Sequence, residues 1–433
     1  MAGQTLFVFL LVVLSASAVV RCLNNEGKGV DWWVILKYPI LSQGGDVGSG
    51  FAYTYADAKS PSFKYSSLRL DSDGAIPNTL NQVYNNSGSD SIGYLMYNDE
   101  SPDGSQHESF AHMKGVMGFD SKVGFLLSHS VPRWPPASSD SYNYPDGQAV
   151  YGQSFLCLSL STPNLDLVGG QLLIDKPHLY DSNLPDSITT QNLAQVVSSQ
   201  WIKDGTTNFI TISTLAGEKF DVFAKNEEAD VELWDDVVEP QYQSGMLVES
   251  WMNGGLKNKM PTVCTPDSKY NTMNVRTVAP MDGVQWTETK DHSKWAVTTD
   301  VQDVFCIGDI NRQFSQAKRG GGAICGTVSS IWKDLTGFET QTVLLNIDVG
   351  VKALNMHWSL GERGALSVST LLHSTVLDIF DPFAVYHCCS GRSAISSAFF
   401  ELTPATLIID TNRLPMNAQR RLPSHNRHSN ELF

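Results

Sequence analysis

The chain lacks any apolar run long enough to cross a bilayer. Its N-terminal run, Leu6 to Leu14, is too short to span, and Ser15-Ala16-Ser17-Ala18 follow it, so residues 1–20 read as a signal peptide even without a Lys or Arg in front. The later apolar stretches, Ala365 to Phe380 and Ser393 to Ile409, are broken by His373, Asp378 and Glu401, and no membrane insertion is expected. Basic charge is also scarce. A formal −15 at pH 7 is the wrong sign for an electrostatic nucleic-acid binder, and protonating all ten His still leaves −5, so a polyanionic partner would be favoured in acid. No G-x-S-x-G elbow is present, which argues against a serine hydrolase. His107 and His112 have the wrong spacing for a zinc hydrolase and no third ligand, so neither a metal nor another cofactor is expected. One acceptable sequon, Asn85-Asn86-Ser87, fits a secreted chain.

The 433 residues allow two to three domains or one large α/β unit. Cys occurs at 22, 157, 264, 306, 325, 388 and 389, and in an oxidising compartment most should pair, although spacing does not give the connectivity. A bridge over a loop the size of that between Cys306 and Cys325 would contribute about 3 kcal/mol in the chain-entropy model. To about residue 335 the chain reads as short β-rich segments between Gly, Pro, Asn and Asp turns. Val34–Leu36 and Ser154–Leu160 read as buried strands, and Gln191–Gln200 and Val231–Trp251 as helices. Pro132 to Asp146 reads as a surface loop that would suit an active-site rim.

An internal echo carries the chemistry. His112-Met113-Lys114 is followed by Asp120, and His292-Ser293-Lys294 by Asp300, each in the form H-x-K, five residues, D. Beyond each lies a second apolar segment with a polar end, Gly124 to Ser130 in one and Val304 to Asn311 in the other, so both read as strand, turn, strand. Composition alone predicts about 0.4 accidental H-x-K matches, so one would mean little, but two sharing the Asp and the strand are hard to obtain by chance. Side chains two apart in extended backbone share a face, so each His and Lys address one phosphate. A neutral imidazole attacks phosphorus, the ammonium holds charge on the non-bridging oxygens, and a second imidazole supplies acid and base. Opposite protonation states of two imidazoles are easiest to reach in mild acid.

These motifs, with Val30 to Val34, Lys37 and Pro39, Gly93 to Asp99, Gly115 to Asp120, Ser128 to Pro132, Tyr151 to Ser154, Gly308 to Arg312 and Gly320 to Gly322, resemble the deoxyribonuclease II family, acid endonucleases of the phospholipase D superfamily. The resemblance runs from about Cys22 to Trp332. It implies an α/β fold of two similar halves, 21–165 and 166–336, each a mixed β-sheet flanked by helices, forming a pseudo-dimer around the active site. It implies metal-free hydrolysis of double-stranded DNA in acid with little sequence preference, leaving 3′-phosphate and 5′-hydroxyl ends, by a lysosomal or secreted protein that is a monomer of two halves or a homodimer. Residue by residue, His112 and His292 become the covalent and acid/base pair, with His112 the favoured nucleophile, and Lys114 and Lys294 the phosphate clamps. His129 and Ser130, matched in the second half by Asp309 and Asn311, complete the pocket, while Asp120 and Asp300 support the hairpins. Pairings Cys22 with Cys157 and Cys306 with Cys325 are likewise implied.

The family pattern supplies a late Cys as a partner for Cys264, yet no Cys lies between Cys325 and Cys388. Residues 337–433, with adjacent Cys388-Cys389 and a basic end at Arg420-Arg421, are expected to be an aberrant extension, such as a retained intron, that stays outside the catalytic core. Two other readings keep part of this picture: a lipid phosphodiesterase with the same chemistry, and a weak or inactive secreted relative that binds nucleic acid or a cell surface.

Overall fold

The computed structural model describes residues 19–253, 255–263, 269–300, 302–342, 358–360 and 366–368. Residues 1–18 of the expected leader, Cys264, Cys388-Cys389 and Arg420-Arg421 lie outside the described residues. Contacts divide the chain after Asn346. In the second unit, Trp358–Leu360 and Leu366–Val368 pair as antiparallel strands.

The first unit contains two sheets. Strands β1 (Trp32–Lys37), β2 (Tyr53–Asp57), β3 (Ser60–Tyr65), β4 (Gly93–Asn98), β5 (Lys114–Phe119), β6 (Val123–His129), β7 (Gln153–Ser161) and β8 (Leu179–Asn183) form the first, in the order β3-β2-β1-β7-β6-β5-β4-β8. The second contains β9 (Thr207–Ser213), β10 (Lys219–Lys225), β11 (Met246–Glu249), β12 (Thr272–Met281), β13 (Val284–Thr287), β14 (Trp295–Thr298), β15 (Phe305–Gly308) and β16 (Gly321–Gly326), in the order β13-β12-β11-β14-β15-β16-β10-β9, with β17 (Glu339–Thr342) beside β12. Read outward from β2 and from β9, the two orders correspond strand for strand, β1 to β10, β7 to β16, β6 to β15, β5 to β14 and β4 to β11. The expected pair of similar halves in a mixed α/β fold is therefore present. Every pair in the first sheet is antiparallel, whereas the second includes a parallel β11–β12 pair.

The sequence of β1, WWVILK, is buried at every position because both faces of this central strand are covered, and its near-continuous apolar run is what such a strand needs. Trp33 and Ile35 face a core shared with helix α1 (Ala75–Tyr84), which contributes Ile76, Leu80 and Val83. Helix α2 (Thr162–Asp175) follows β7, starts on a Ser161 cap, and touches β6 and β7 of its own sheet and β9 and β10 of the other. Covered on more than one side, it has no clean polar stripe, and Gln171 donates to the Val222 carbonyl at 2.8 Å. In the matching place after β16, α5 (Ser329–Phe338) reaches back to β3, where Asp334 accepts from Ser62 Oγ at 2.8 Å and the Phe63 amide at 2.7 Å. Each half thus lends one helix to the other.

Backbone pairing separates the sheets between Asn183 and Thr207, later than residue 165, because β8 pairs with β4; likewise β17 carries the second sheet beyond residue 336. The expected helix at Gln191–Gln200 is α3 (Asn192–Val197). Val231–Trp251 is helical only in part: a π-helical turn, Trp234–Val238, runs into α4 (Glu239–Tyr242), and then β11 begins. The strand wins there because Met246–Glu249 is buried along its length between β12 and β14. Cys22 bonds Cys157, tying the first described residues to β7, and Cys306 bonds Cys325 across directly paired positions of β15 and β16.

Candidate active site

The residues that lead into β5 and β14 carry the two H-x-K motifs, with Lys114 the first residue of β5 and Lys294 immediately before β14. Each His is held by the opposite half: the His112 amide donates to the Gly320 carbonyl at 2.9 Å, and the His292 amide donates to the Gly152 carbonyl at 2.9 Å. Backbone excludes a side chain at Gly320, and at Gly152 a side chain would have to displace Asp291. A Cβ on Gly320 would come within 2.0 Å of the Asp175 carbonyl, and one on Gly152 within 2.5 Å of Asp291 Oδ1. A second crossing bond runs from His112 Nδ1 to the Asp309 carbonyl, 2.8 Å. The Lys294 amide donates to Ser154 Oγ at 3.3 Å, again across the interface. The four residues of the two motifs are therefore gathered at one seam.

The lysines differ in their anchors. Lys114 Nζ contacts Asp99 Oδ1, and Arg319 Nη2 from the other half binds Asp99 Oδ2 at 3.0 Å. Burial pushes the Asp99 carboxyl up, but Lys114, His112 and Arg319 outweigh it and hold the group well below the usual carboxylate range. Lys294 Nζ donates to the His292 carbonyl at 2.9 Å, and burial together with the Lys114 charge pulls it down to about 7. The Tyr151 ring stacks on the His292 imidazole at 4.6 Å and Trp251 packs on it at 3.8 Å between centroids. Burial and the neighbouring ammonium groups depress both imidazoles well below their ordinary value. A bound phosphate dianion or diester would reverse that by placing negative charge between them.

Paired positions clarify the supporting residues. Gly115 opposes Ser128 and Trp295 opposes Ile307, so two residues further on Ser130 corresponds to Asp309, and His129 to Gly308. The expected match of His129 with Asp309 is thus displaced by one. Ser130 Oγ accepts from the Ser154 amide at 2.9 Å, as Asp309 Oδ2 accepts from the Gly322 amide at 3.1 Å. Ser130 Oγ also donates to Gln153 Oε1 at 2.6 Å. Burial raises the Asp309 carboxyl to about 7, against the Gly322 amide and both motif lysines. His129 takes the Val131 amide on Nδ1 at 3.2 Å and lies edge-on to Trp134, so the Pro132–Asp146 loop is not merely surface: its Trp134 is buried beneath the site. His129 Nε2, His292 Nε2 and Asn311 Oδ1 are buried without a protein partner among the described residues, a costly state outside a binding site. Asp120 accepts from the Lys122 and Val123 amides inside its hairpin turn, whereas Asp300 accepts from the Gly245 amide and so ties its hairpin to the start of β11.

Asp99, Gly152 and Gly320 lay inside recognisable segments and Arg319 just ahead of one, but nothing in the sequence paired them with the motifs. Among the described residues no group of three or more His, Cys, Asp or Glu could hold a metal ion, and no described helix is long and apolar enough to cross a membrane. A cavity of about 650 Å³ between Ala279–Gln285 and Lys333–Phe338 touches neither motif.

Protonation links this site to stability. Burial raises Asp309 and Glu232 to about 7, Glu239 to about 8, and Asp175 and Glu249 well above the usual range, so folding binds protons on these five groups. A raised carboxylate costs stability above its folded value, and that cost is relieved as pH falls toward the unfolded value. Depressed His112, His129 and His292 act in the opposite sense below about 6.5, where the unfolded chain takes up their protons. Asp291 is raised as well and His178 lowered, so six carboxylates outweigh four imidazoles, and the thermal unfolding midpoint should rise from about pH 6.5 to about pH 5. Calorimetry showing a steady fall over that interval would contradict these buried acids.

Sequence comparison places known proteins beside this geometry. The family described as Deoxyribonuclease II matches residues 21–342. Plancitoxin-1 of Acanthaster planci is 35% identical over 329 residues, covering 74% of this chain and 91% of that protein. Cell-death-related nuclease 7 of Caenorhabditis elegans is 34% identical over 340 residues, with 77% and 90% covered. Deoxyribonuclease-2-alpha of Rattus norvegicus is 32% identical over 341 residues, with 77% and 96% covered.

Proposed function

This chain belongs to the deoxyribonuclease II family and is a nuclease acting on DNA, and from that premise we propose that it cuts DNA by covalent catalysis on His112. The observation that carries the reading is the reciprocal hold of each motif histidine by the other half, together with the bond from His112 Nδ1 to the Asp309 carbonyl. A carbonyl only accepts, so Nδ1 carries the hydrogen and Nε2 keeps the lone pair aimed at phosphorus. Nε2 forms a P–N bond as the P–O5′ bond breaks, and His292 gives its proton to the leaving 5′ oxygen. His292 then takes a proton from water, the hydroxide attacks phosphorus, and the P–N bond breaks to leave a 3′-phosphate. Lys114 and Lys294 hold the non-bridging oxygens throughout.

Acid favours this cycle for a reason visible in the site. Asp309 and Lys294 both titrate near 7, so lowering the pH neutralises one carboxyl and charges one ammonium, and the pocket becomes more attractive to a phosphodiester. Contacts of this kind read phosphate, so double-stranded DNA is taken with little sequence preference by a monomer with two pseudo-twofold halves or by its homodimer. The leader pattern, the disulfides and an exposed Asn85 sequon support passage through the secretory route to lysosomes or out of the cell; cell fractionation finding the protein in the cytosol would end that part.

Plasmid nicking at about pH 5 with excess chelator tests the mechanism. Nicks should form and carry 5′-hydroxyl ends that a polynucleotide kinase labels without prior phosphatase treatment. A requirement for magnesium, or 5′-phosphate ends, would refute it; binding without nicking would favour a non-catalytic relative.

A further inference from the structure

Two buried lysines outside the H-x-K motifs occupy matching places. Lys37 ends β1 opposite Gln153, and Lys225 ends β10 opposite Gly321. Both are sealed from solvent, at 1% and 0% exposure. A lysine ammonium has three N–H donors, and each of these meets three backbone carbonyls. Lys37 Nζ donates to the carbonyls of Tyr38 at 3.0 Å, Ala149 at 3.0 Å and Tyr151 at 2.6 Å. Lys225 Nζ donates to those of Gln316 at 3.2 Å, Ala317 at 2.7 Å and Arg319 at 2.5 Å.

The glycine next along each loop matters more than the burial. The carbonyl after Tyr151 is that of Gly152, which accepts the His292 amide, and the Tyr151 ring itself stacks on the His292 imidazole. The carbonyl after Arg319 is that of Gly320, which accepts the His112 amide, and the Arg319 guanidinium grips the Asp99 that binds Lys114. In both halves, then, an ammonium fixes the peptide immediately before the glycine that holds the other half's histidine.

We propose that Lys37 and Lys225 are positioning residues acting across the seam, Lys37 placing His292 and Lys225 placing His112. Burying an ammonium is costly, and a core that needed only packing would use an apolar side chain there. The ammonium gives something an apolar group cannot: three directed bonds that fix where one loop's carbonyls point. A glycine on each loop is otherwise the most permissive point of the chain. Burial lowers Lys37 to about 7 and Lys225 to about 8, against the facing acids, Asp291 for Lys37 and Glu232, Asp175 and Asp230 for Lys225, so both ammonium groups carry their charge in acid.

The activity arm of the test rests on the nuclease reading; the spectroscopic arm does not. Full-length protein labelled with 15N-histidine is compared with Lys37→Gln and Lys225→Gln, whose amide keeps two donors, and with Lys37→Met and Lys225→Met, which keep none. Lys37→Gln should move the His292 backbone amide resonance and leave His112 in place, and Lys225→Gln should do the reverse. The nicking kcat should fall by about 100-fold with KM little changed, because a small misplacement of a reacting group costs that much. Both amides moving together, neither moving, the crossed assignment reversed, or full activity in the Met variants would overturn the proposal. Unfolding of all four variants would assign the lysines to folding alone and also overturn it. A wild-type chain that fails to nick DNA would count against the nuclease mechanism, while the amide shifts still decide this point.

Discussion

His112→Ala should lower kcat/KM for DNA cleavage by about 10⁴-fold or more, His292→Ala by a similar factor, and the double variant by little beyond either. The non-additivity comes from their acting in sequence on one phosphorus: without the nucleophile the proton donor has no leaving group to serve, and without the donor the attack stalls. The two variants should nonetheless differ in what accumulates. His292→Ala retains the Nε2 that forms the P–N bond, so a protein–DNA adduct through the 3′-phosphate should build up slowly, stable in alkali and lost in acid. His112→Ala should give none. An adduct from His112→Ala and none from His292→Ala would reverse the assignment; either single variant within tenfold of the parent would leave the histidines outside the chemistry.

Replacing Asp99 is expected to have the largest effect on stability. Its carboxylate lies between Lys114 and Arg319, with side-chain exposures of 5%, 4% and 15%. Asp99→Asn leaves two cations without their counter-charge in a buried setting, which costs about 3–5 kcal/mol. The same change raises the net charge at the phosphate site by one, so two effects compete on activity. Stronger attraction for DNA should lower KM modestly, while release of Lys114 from its anchor should lower kcat by about 100-fold. Geometry wins because charge at long range is screened and position at the reacting atom is not. Sign also matters for pH. A depressed carboxylate contributes stability above its unfolded value of about 3.9 and loses it only as pH falls through the folded value, so the Asp99 contribution survives at about pH 5. Chemical denaturation at about pH 5 checks this: an Asp99→Asn chain as stable as the parent would mean that Lys114 and Arg319 find other partners.

Parts of this were legible beforehand because they depend on neighbours in sequence. Strands β1 and β7 announce themselves by apolar runs bounded by turns, and the hairpins after His112 and His292 by two segments split at an Asp. The helical pattern over Val231–Trp251 misled at its end, since Met246–Glu249 has no local feature that outweighs a place between β12 and β14. Trp134 misled in the other direction. Its neighbours are prolines and serines, which read as surface, yet the side chain packs under His129.

By itself the sequence determined the chemistry on offer: two imidazole–ammonium pairs, repeated with their hairpins, in a chain too acidic to hold DNA by charge except at low pH. Those features are local patterns and counts, and both survive without knowledge of the fold. Tertiary structure decided the rest: that Gly152 and Gly320 hold the opposite half's histidine, that Asp99 joins Lys114 to Arg319, and that Ser130 answers to Asp309. Each of these is a hydrogen bond or charge contact between residues far apart in the chain, formed only when two sheets meet along a seam, and no spacing rule records which carbonyl an amide will find there.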